Sequence, residues 1–293
     1  MFKGVYTALI TPFRDDAVDW DALEVHIENQ VQGGVDGVVP MGTTGESPTL
    51  SFEEHELFIK RVVKIVNGRI KVIAGTGANS TKEAIWLTKG AIDAGVDAVL
   101  SVNPYYNKPT QKGLIAHYES IGRECKIPII LYNIPGRSGV NFLPESVKEL
   151  LDRTGNIVAM KEASGDVAQM MRLIELCGTR LTVLSGDDNL LLPLLAVGGK
   201  GVISVLSNLL PADIKSIVTL FNNGEIDKSR ELFYRLLPLC RAMFLETNPI
   251  PVKAAIEMTG LCSGDLRLPL TKISDSNREI LKQRLTDYGV KLK

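Results

Sequence analysis

The chain has only three histidines, four cysteines and two tryptophans in 293 residues, and each scarcity removes a class of function. His26, His55 and His117 stand apart, none in an H-E-x-x-H pattern, which disfavours a zinc hydrolase. Cys125, Cys177, Cys240 and Cys262 are scattered without a C-x-x-C pair, which suits buried reduced thiols better than a disulfide frame or a zinc site. Charge of one sign is missing too, since 33 Lys plus Arg face 34 Asp plus Glu for a net charge of -1. No electrostatic excess draws the chain to nucleic acid or to an anionic membrane. No window approaches the roughly 18 consecutive apolar residues of a membrane span. The opening "MFKGVYTALITPFRDD" has neither the apolar length nor the cleavage site of a signal peptide, so a cytoplasmic location is expected.

What is present is an ordinary globular composition, 45% hydrophobic and 23% charged, able to bury a sizeable core. Short β-rich apolar runs recur along it: Val5–Thr11, Val35–Met41, Lys71–Thr76, Ala98–Val102, Pro128–Asn133, Ile157–Lys161, Leu181–Ser185 and Val202–Leu206. Several lack alternation, as parallel strands covered on both faces do. The segments between them have helical spacing. After the second run, Ser51 and Glu54 form a capping box, Phe58, Val62, Ile65 and Val66 mark one face, and Asn67-Gly68 ends the helix. Eight strand–helix units predict an α/β fold, a closed (β/α)8 TIM barrel, with an open doubly wound sheet as the alternative. Helical patterns at Ile214–Phe221, Asp227–Phe244 and from Asp275 onward exceed what closes a barrel. The expected division is a barrel over residues 1–224 and a small C-terminal helical extension over 225–293, packed on it.

In such a barrel the reactive groups stand at the carboxyl ends of the strands. Lys161 closes the dry run Ile157–Met160, where lost hydration favours the neutral, nucleophilic amine that a Schiff base requires; its alternatives are snorkelling to solvent or pairing with Glu162. Tyr132 ends the neighbouring strand, where a phenol can pass protons or simply cap the core. Thr43 and Thr44 lie in a turn between Gly42 and Gly45, which lets hydroxyls and N–H groups approach a ligand. "GTTGES" lacks the Lys-Ser/Thr ending of a P-loop, and "GTGANS" lacks a dinucleotide fingerprint. Asp187-Asp188 offers too few ligands for a divalent ion and is expected to be a solvated or a capping pair at a strand end. No metal is expected.

Taken in order, "GTTGE" (Gly42–Glu46), "YNIP" (Tyr132–Pro135) and Lys161 closing the sixth strand resemble the pyruvate-dependent class I aldolase family, which includes neuraminate lyases and dipicolinate synthases, over essentially the whole chain. The resemblance implies Lys161 as Schiff-base former and Tyr132 as general acid/base. Thr43 and Tyr106 complete a proton relay, Tyr106 coming from a neighbouring subunit of a homotetramer built from dimers. It implies that Thr44, Gly186 and Ile203 hold pyruvate, that no cofactor is needed, and that Arg137 of "PGRSG" holds the carboxylate of L-aspartate 4-semialdehyde. An arginine at that position marks the synthase branch, because its fork suits a carboxylate and a sugar acid needs hydroxyl partners. The segments "NPYYNKPTQKGL", "SGDD", "GVISV" and "NPIPVKAA" point the same way. A regulatory L-lysine site at a dimer interface is implied at Ser47, Pro48, His55, Asn79, Glu83 and Tyr105. Phe52 departs there from a histidine found in some inhibited relatives, and the alternative for His55 and Glu83 is plain helix surface. Two other readings stay open: a sugar-acid aldolase on the same lysine, and a non-catalytic ligand sensor.

Overall fold

The computed structural model describes residues 2–293. Its strands are β1 (Gly4–Ala8), β2 (Gly37–Val39), β3 (Lys71–Gly75), β4 (Ala98–Val102), β5 (Ile129–Asn133), β6 (Ile157–Glu162), β7 (Thr182–Ser185) and β8 (Gly201–Ser204). Each pairs in parallel with the next, and β1 pairs with β8 to close the barrel. All eight expected runs form strands, most of them trimmed by one to three residues at an end, and the open sheet is excluded. At the β1–β8 seam a Cβ on Gly201 would lie 1.8 Å from the Gly4 carbonyl oxygen, so closure requires glycine there.

Strand alternation sorts the side chains into two cores. Tyr6, Val39, Ile73, Leu100, Ile130, Tyr132, Ala159, Leu184 and Ile203 fill the barrel. Leu131, Met160 and Val183, one residue out of phase, pack outward against the helices. This parity turns Lys161 inward with Ala159 and Glu162 outward with Met160.

Helices α1 (Trp20–Gln32), α2 (Phe52–Val66), α3 (Thr81–Ala94) and α4 (Gln111–Glu124) follow the first four strands. The Ser51–Glu54 capping box is formed, and Asn67 ends α2 in the left-handed region. Beyond β5 come the one-turn α5 (Pro135–Ser138) and then α6 (Pro144–Arg153), α7 (Val167–Cys177), α8 (Leu191–Ala196) and α9 (Pro211–Asn222). After Gly224 the chain adds α10 (Ile226–Ala242), α11 (Ile250–Thr259) and α12 (Asp275–Tyr288). Their apolar residues, including Phe233, Leu236, Ile256 and Leu281, share one cluster with Val5, Val35 and Val202 of the barrel.

Three elements have no counterpart in the sequence expectations. Phe13–Arg14 and Ala17–Val18 form a two-residue hairpin, too short for a periodic signal. Pro135–Ser138 is helical, and α11 begins within "NPIP", where Pro251 sits in the first turn and sacrifices no internal hydrogen bond. The four thiols are unpaired, and Cys125, Cys177 and Cys240 are buried as expected whereas Cys262 is only half-buried. Among the described residues no helix is long and apolar enough to cross a membrane, and no three His, Cys, Asp or Glu side chains group as metal ligands. Asp187 caps a one-turn segment through Asn189 N, and buried Asp188 accepts hydrogen bonds from Val205 and Leu206 N–H, so the pair does a capping task.

Candidate active site

Tyr132 and Lys161 are cross-strand neighbours at the carboxyl ends of β5 and β6, each 5% exposed. The Lys161 Nζ lies 4.2 Å from the centre of the Tyr132 ring, within cation–π reach. Neither alternative for Lys161 holds, since its side chain is buried and Glu162 faces the other way. Glu162, fully buried, accepts from Ser164 N at 2.7 Å, Asn133 Nδ2 at 3.0 Å and Gln169 Nε2 at 3.1 Å. Burial pushes its carboxyl pKa up while these donors pull it down. Asn133 in turn accepts from Asn103 Nδ2 at 2.8 Å. The outward residue after each member of the Tyr132–Lys161 pair is thus hydrogen-bonded across the same two strands, which fixes the register of the inward pair.

Gly186 follows the last residue of β7, beside the lysine. A Cβ there would stand 2.6 Å from Ala163 Cβ and 3.1 Å from Lys161 Cγ and Cε, so the missing side chain is the room in which Lys161 lies. Ile203 is fully buried on the inner wall.

The β2 loop makes a tight double turn, with Gly45 N bonded to Gly42 O and Glu46 N to Thr43 O. Met41 and Glu46 adopt positive φ of 58° and 55° at either end. Thr43 faces the cavity, whereas Thr44 is 3% exposed and accepts from Asn248 Nδ2 at 3.0 Å. Arg137 stands on α5, whose turn places its Nη2 3.1 Å from the Asn248 carbonyl oxygen.

A cavity of about 420 Å³ is lined by Thr43, Tyr132 and Arg137 and also by Ser47, Pro48, His55, Glu83 and Tyr105, five of the six residues expected to bind lysine. Asn79 is not on that wall; its carbonyl accepts from Asn107 Nδ2 at 2.8 Å. Nor are Thr44, Gly186, Ile203 or Lys161. His55 is not plain helix surface: it is 5% exposed, its Nε2 lies 3.0 Å from the Gly75 carbonyl, and burial lowers its pKa. Burial and the Glu83 charge raise the pKa of Tyr105. Phe52, at the departing position, packs edge-on against Trp86 at 5.1 Å. Tyr106 stands apart, 89% exposed at φ 73° and off the cavity wall.

Two groups near the site lie in the segment "NPIPVKAA", to which the sequence assigns no individual residue roles. Asn248 touches both Thr44 and Arg137. Lys253 forms a buried ion pair with Glu46 at 2.6 Å and donates to Thr11 O at 2.9 Å, both charged side chains being wholly buried. One signal was available for the second: a lysine inside the apolar "IPVKAAI" needs a partner.

Comparison with known proteins places this geometry. The sequence profile of the Dihydrodipicolinate synthetase family matches residues 1–288. A 4-hydroxy-tetrahydrodipicolinate synthase of Leptospira biflexa is 54% identical over 94% of this chain and 93% of its own length. The dihydrodipicolinate synthase of Acinetobacter baumannii, solved with pyruvate, superposes with a TM-score of 0.97 at 42% identity over 99% of this chain and 100% of its own. The enzyme of Cyanidioschyzon merolae, solved with lysine bound, gives 0.96 at 40% identity over 99% of both chains. Profile, identity and superposition agree along nearly the full length, and the chain belongs to the dihydrodipicolinate synthetase family.

Proposed function

We propose that this chain condenses pyruvate with L-aspartate 4-semialdehyde, through a Schiff base on Lys161, to give 4-hydroxy-tetrahydrodipicolinate on the diaminopimelate route to L-lysine. The observation that carries the reading is the buried Tyr132–Lys161 pair, with Nζ 4.2 Å from the phenol ring at the mouth of the barrel. The Lys161 amine attacks the keto carbon of pyruvate, and Tyr132, relaying through Thr43 and a neighbour's Tyr106, protonates the departing hydroxyl so that water leaves and the imine forms. Loss of a methyl proton to the same relay gives the enamine. Its carbon attacks the aldehyde, whose oxygen takes up a proton. The semialdehyde's own amine then attacks the imine carbon, closing the ring and releasing Lys161. The iminium is the electron sink, so the chemistry asks for no metal or organic cofactor.

Thr44 with its backbone, Gly186 and Ile203 form the pyruvate subsite in this reading, and Arg137 takes the semialdehyde carboxylate with charge-assisted bonds. Arg137 favours the synthase over a sugar-acid aldolase. Turnover of semialdehyde against N-acetylneuraminate tests that choice, and preference for the sugar acid contradicts it. An intact fold with no pyruvate-dependent turnover would leave only the ligand sensor.

L-Lysine inhibition belongs to the same proposal. Glu83 offers a carboxylate to an ammonium group and His55 helps fix the ligand, with Ser47, Pro48, Asn79 and Tyr105 around them. The cavity shared with Thr43 and Tyr132 supports a link between the two sites. A titration of initial rate with lysine into the millimolar range checks it, and a flat response contradicts it. We also propose a cytoplasmic homotetramer of barrels (residues 1–224) carrying their extensions (225–293). The exposed Tyr106 ring supports assembly, and a monomer in sedimentation would oppose it.

A further inference from the structure

The segment "TNPIPVK" (Thr247–Lys253) belongs to the C-terminal extension, far along the chain from the barrel loops it touches. Two of its residues grip the loop after β2. Asn248 donates from Nδ2 to Thr44 Oγ1 at 3.0 Å, and Lys253 pairs with Glu46, two residues on, at 2.6 Å. Asn248 also reaches the loop after β5, since its main-chain carbonyl accepts from Arg137 Nη2 at 3.1 Å. The residue is 5% exposed, and its Oδ1 is buried with no partner among the described residues. An unpaired buried acceptor is costly, so Oδ1 asks for a partner that the described residues do not supply.

The donor–acceptor arithmetic gives this contact a consequence. A carboxamide nitrogen has only hydrogens to offer, so the Thr44 oxygen is the acceptor and its own hydrogen stays free to donate to an anion. Tying down Nη2 of Arg137 likewise holds the plane of the guanidinium and leaves its other donors for a ligand.

We propose that Asn248 is a positioning residue that sets both substrate subsites, its carboxamide aiming the Thr44 hydroxyl and its main-chain carbonyl aiming Arg137. The inference rests on the reading of Thr44 and Arg137 as substrate-binding groups. It makes the C-terminal extension part of the active site, with Lys253 as the anchor that holds the segment down.

The test uses the full-length enzyme and two readouts: the pyruvate concentration that half-saturates borohydride trapping on Lys161, and the KM for semialdehyde in steady state. Asn248→Ala is expected to raise the first by about 3–10-fold, the range of one ordinary hydrogen bond, with a smaller rise in the second as the segment loosens and kcat nearly unchanged. Asn248→Asp keeps the shape but makes the Thr44 hydroxyl the donor and adds a charge facing two anionic substrates, so a rise of about 100-fold or more is expected. Should the aspartate fail to fold, a cycle with Thr44→Val decides, because Asn248→Ala should add nothing to the pyruvate effect once the acceptor is gone. A half-saturation within about twofold of wild type for Asn248→Ala, or a rise undiminished in the Thr44→Val background, overturns the proposal. Failure of the wild-type enzyme to trap pyruvate overturns the reaction itself, a distinguishable result.

Discussion

Tyr132 and Lys161 face each other across β5 and β6, in register and inside the barrel, with the lysine nitrogen 4.2 Å from the centre of the phenol ring. Replacing Tyr132 with Phe keeps the ring that packs in the inner core and removes the only proton it can move. Imine formation should slow by about 100-fold or more, within the span of general acid–base catalysis, while the thermal midpoint stays close to that of wild type. Single-turnover trapping with pyruvate measures the first and a melting curve the second. An unaltered trapping rate would remove Tyr132 from the proton path.

Arg137 stands on a one-turn helix at the cavity wall, and truncating it to alanine should leave the lysine chemistry untouched. Loss of a charged hydrogen-bonding partner is worth about 1.5–3 kcal/mol, or roughly 10- to 100-fold in KM for the semialdehyde. Half-saturation by pyruvate should remain within about twofold. Equal damage to both substrates would place Arg137 in the scaffold instead of the aldehyde subsite.

Lys253 and Glu46 are wholly buried and neutralise each other. Lys253→Met strands the carboxylate in the core and should cost about 3–5 kcal/mol of stability. Adding Glu46→Gln removes the stranded charge and should recover part of that loss. Urea unfolding of both variants measures the difference, and a double variant less stable than the single would contradict the account.

His26 and His117 are buried, and burial lowers both rings to about 4 from an ordinary 6.5. Between those values the unfolded chain binds a proton at each ring and the folded chain does not, so their contribution is present above about 6.5 and is lost as pH falls to 4. Each shift corresponds to roughly 3 kcal/mol. The raised carboxyls of Glu162 and Asp188 act in the opposite sense, folding being favoured where they hold a proton and less so as pH rises through their folded values. Comparing the unfolding free energy at pH 7 and pH 4.5 in wild type and in His26→Gln isolates one ring. The variant should lose less stability on acidification, and an identical loss would refute this assignment.

The barrel was legible because its signals are local. Each strand is a short apolar run, and polar or glycine-rich ends such as "MGTTGES" and "YNIPGRSG" mark the working side. Lys161 stood out as a charge closing a dry strand. Asn248 and Lys253 did not, because their partners Thr44 and Glu46 lie some 200 residues away and no periodicity encodes a contact made only when the extension folds back. Pairing of Glu162 with Lys161 is one alternative that adjacency in sequence allows, and strand alternation removes it by sending Glu162 to the other face. α11 was hidden by its prolines, which a helix accepts in its first turn.

The most direct test is to incubate the protein with pyruvate, reduce with borohydride and map the modified residue by peptide mass spectrometry. The account predicts one stable adduct, on Lys161, abolished in Lys161→Ala. A label carried by any other lysine, or none at all, would contradict it.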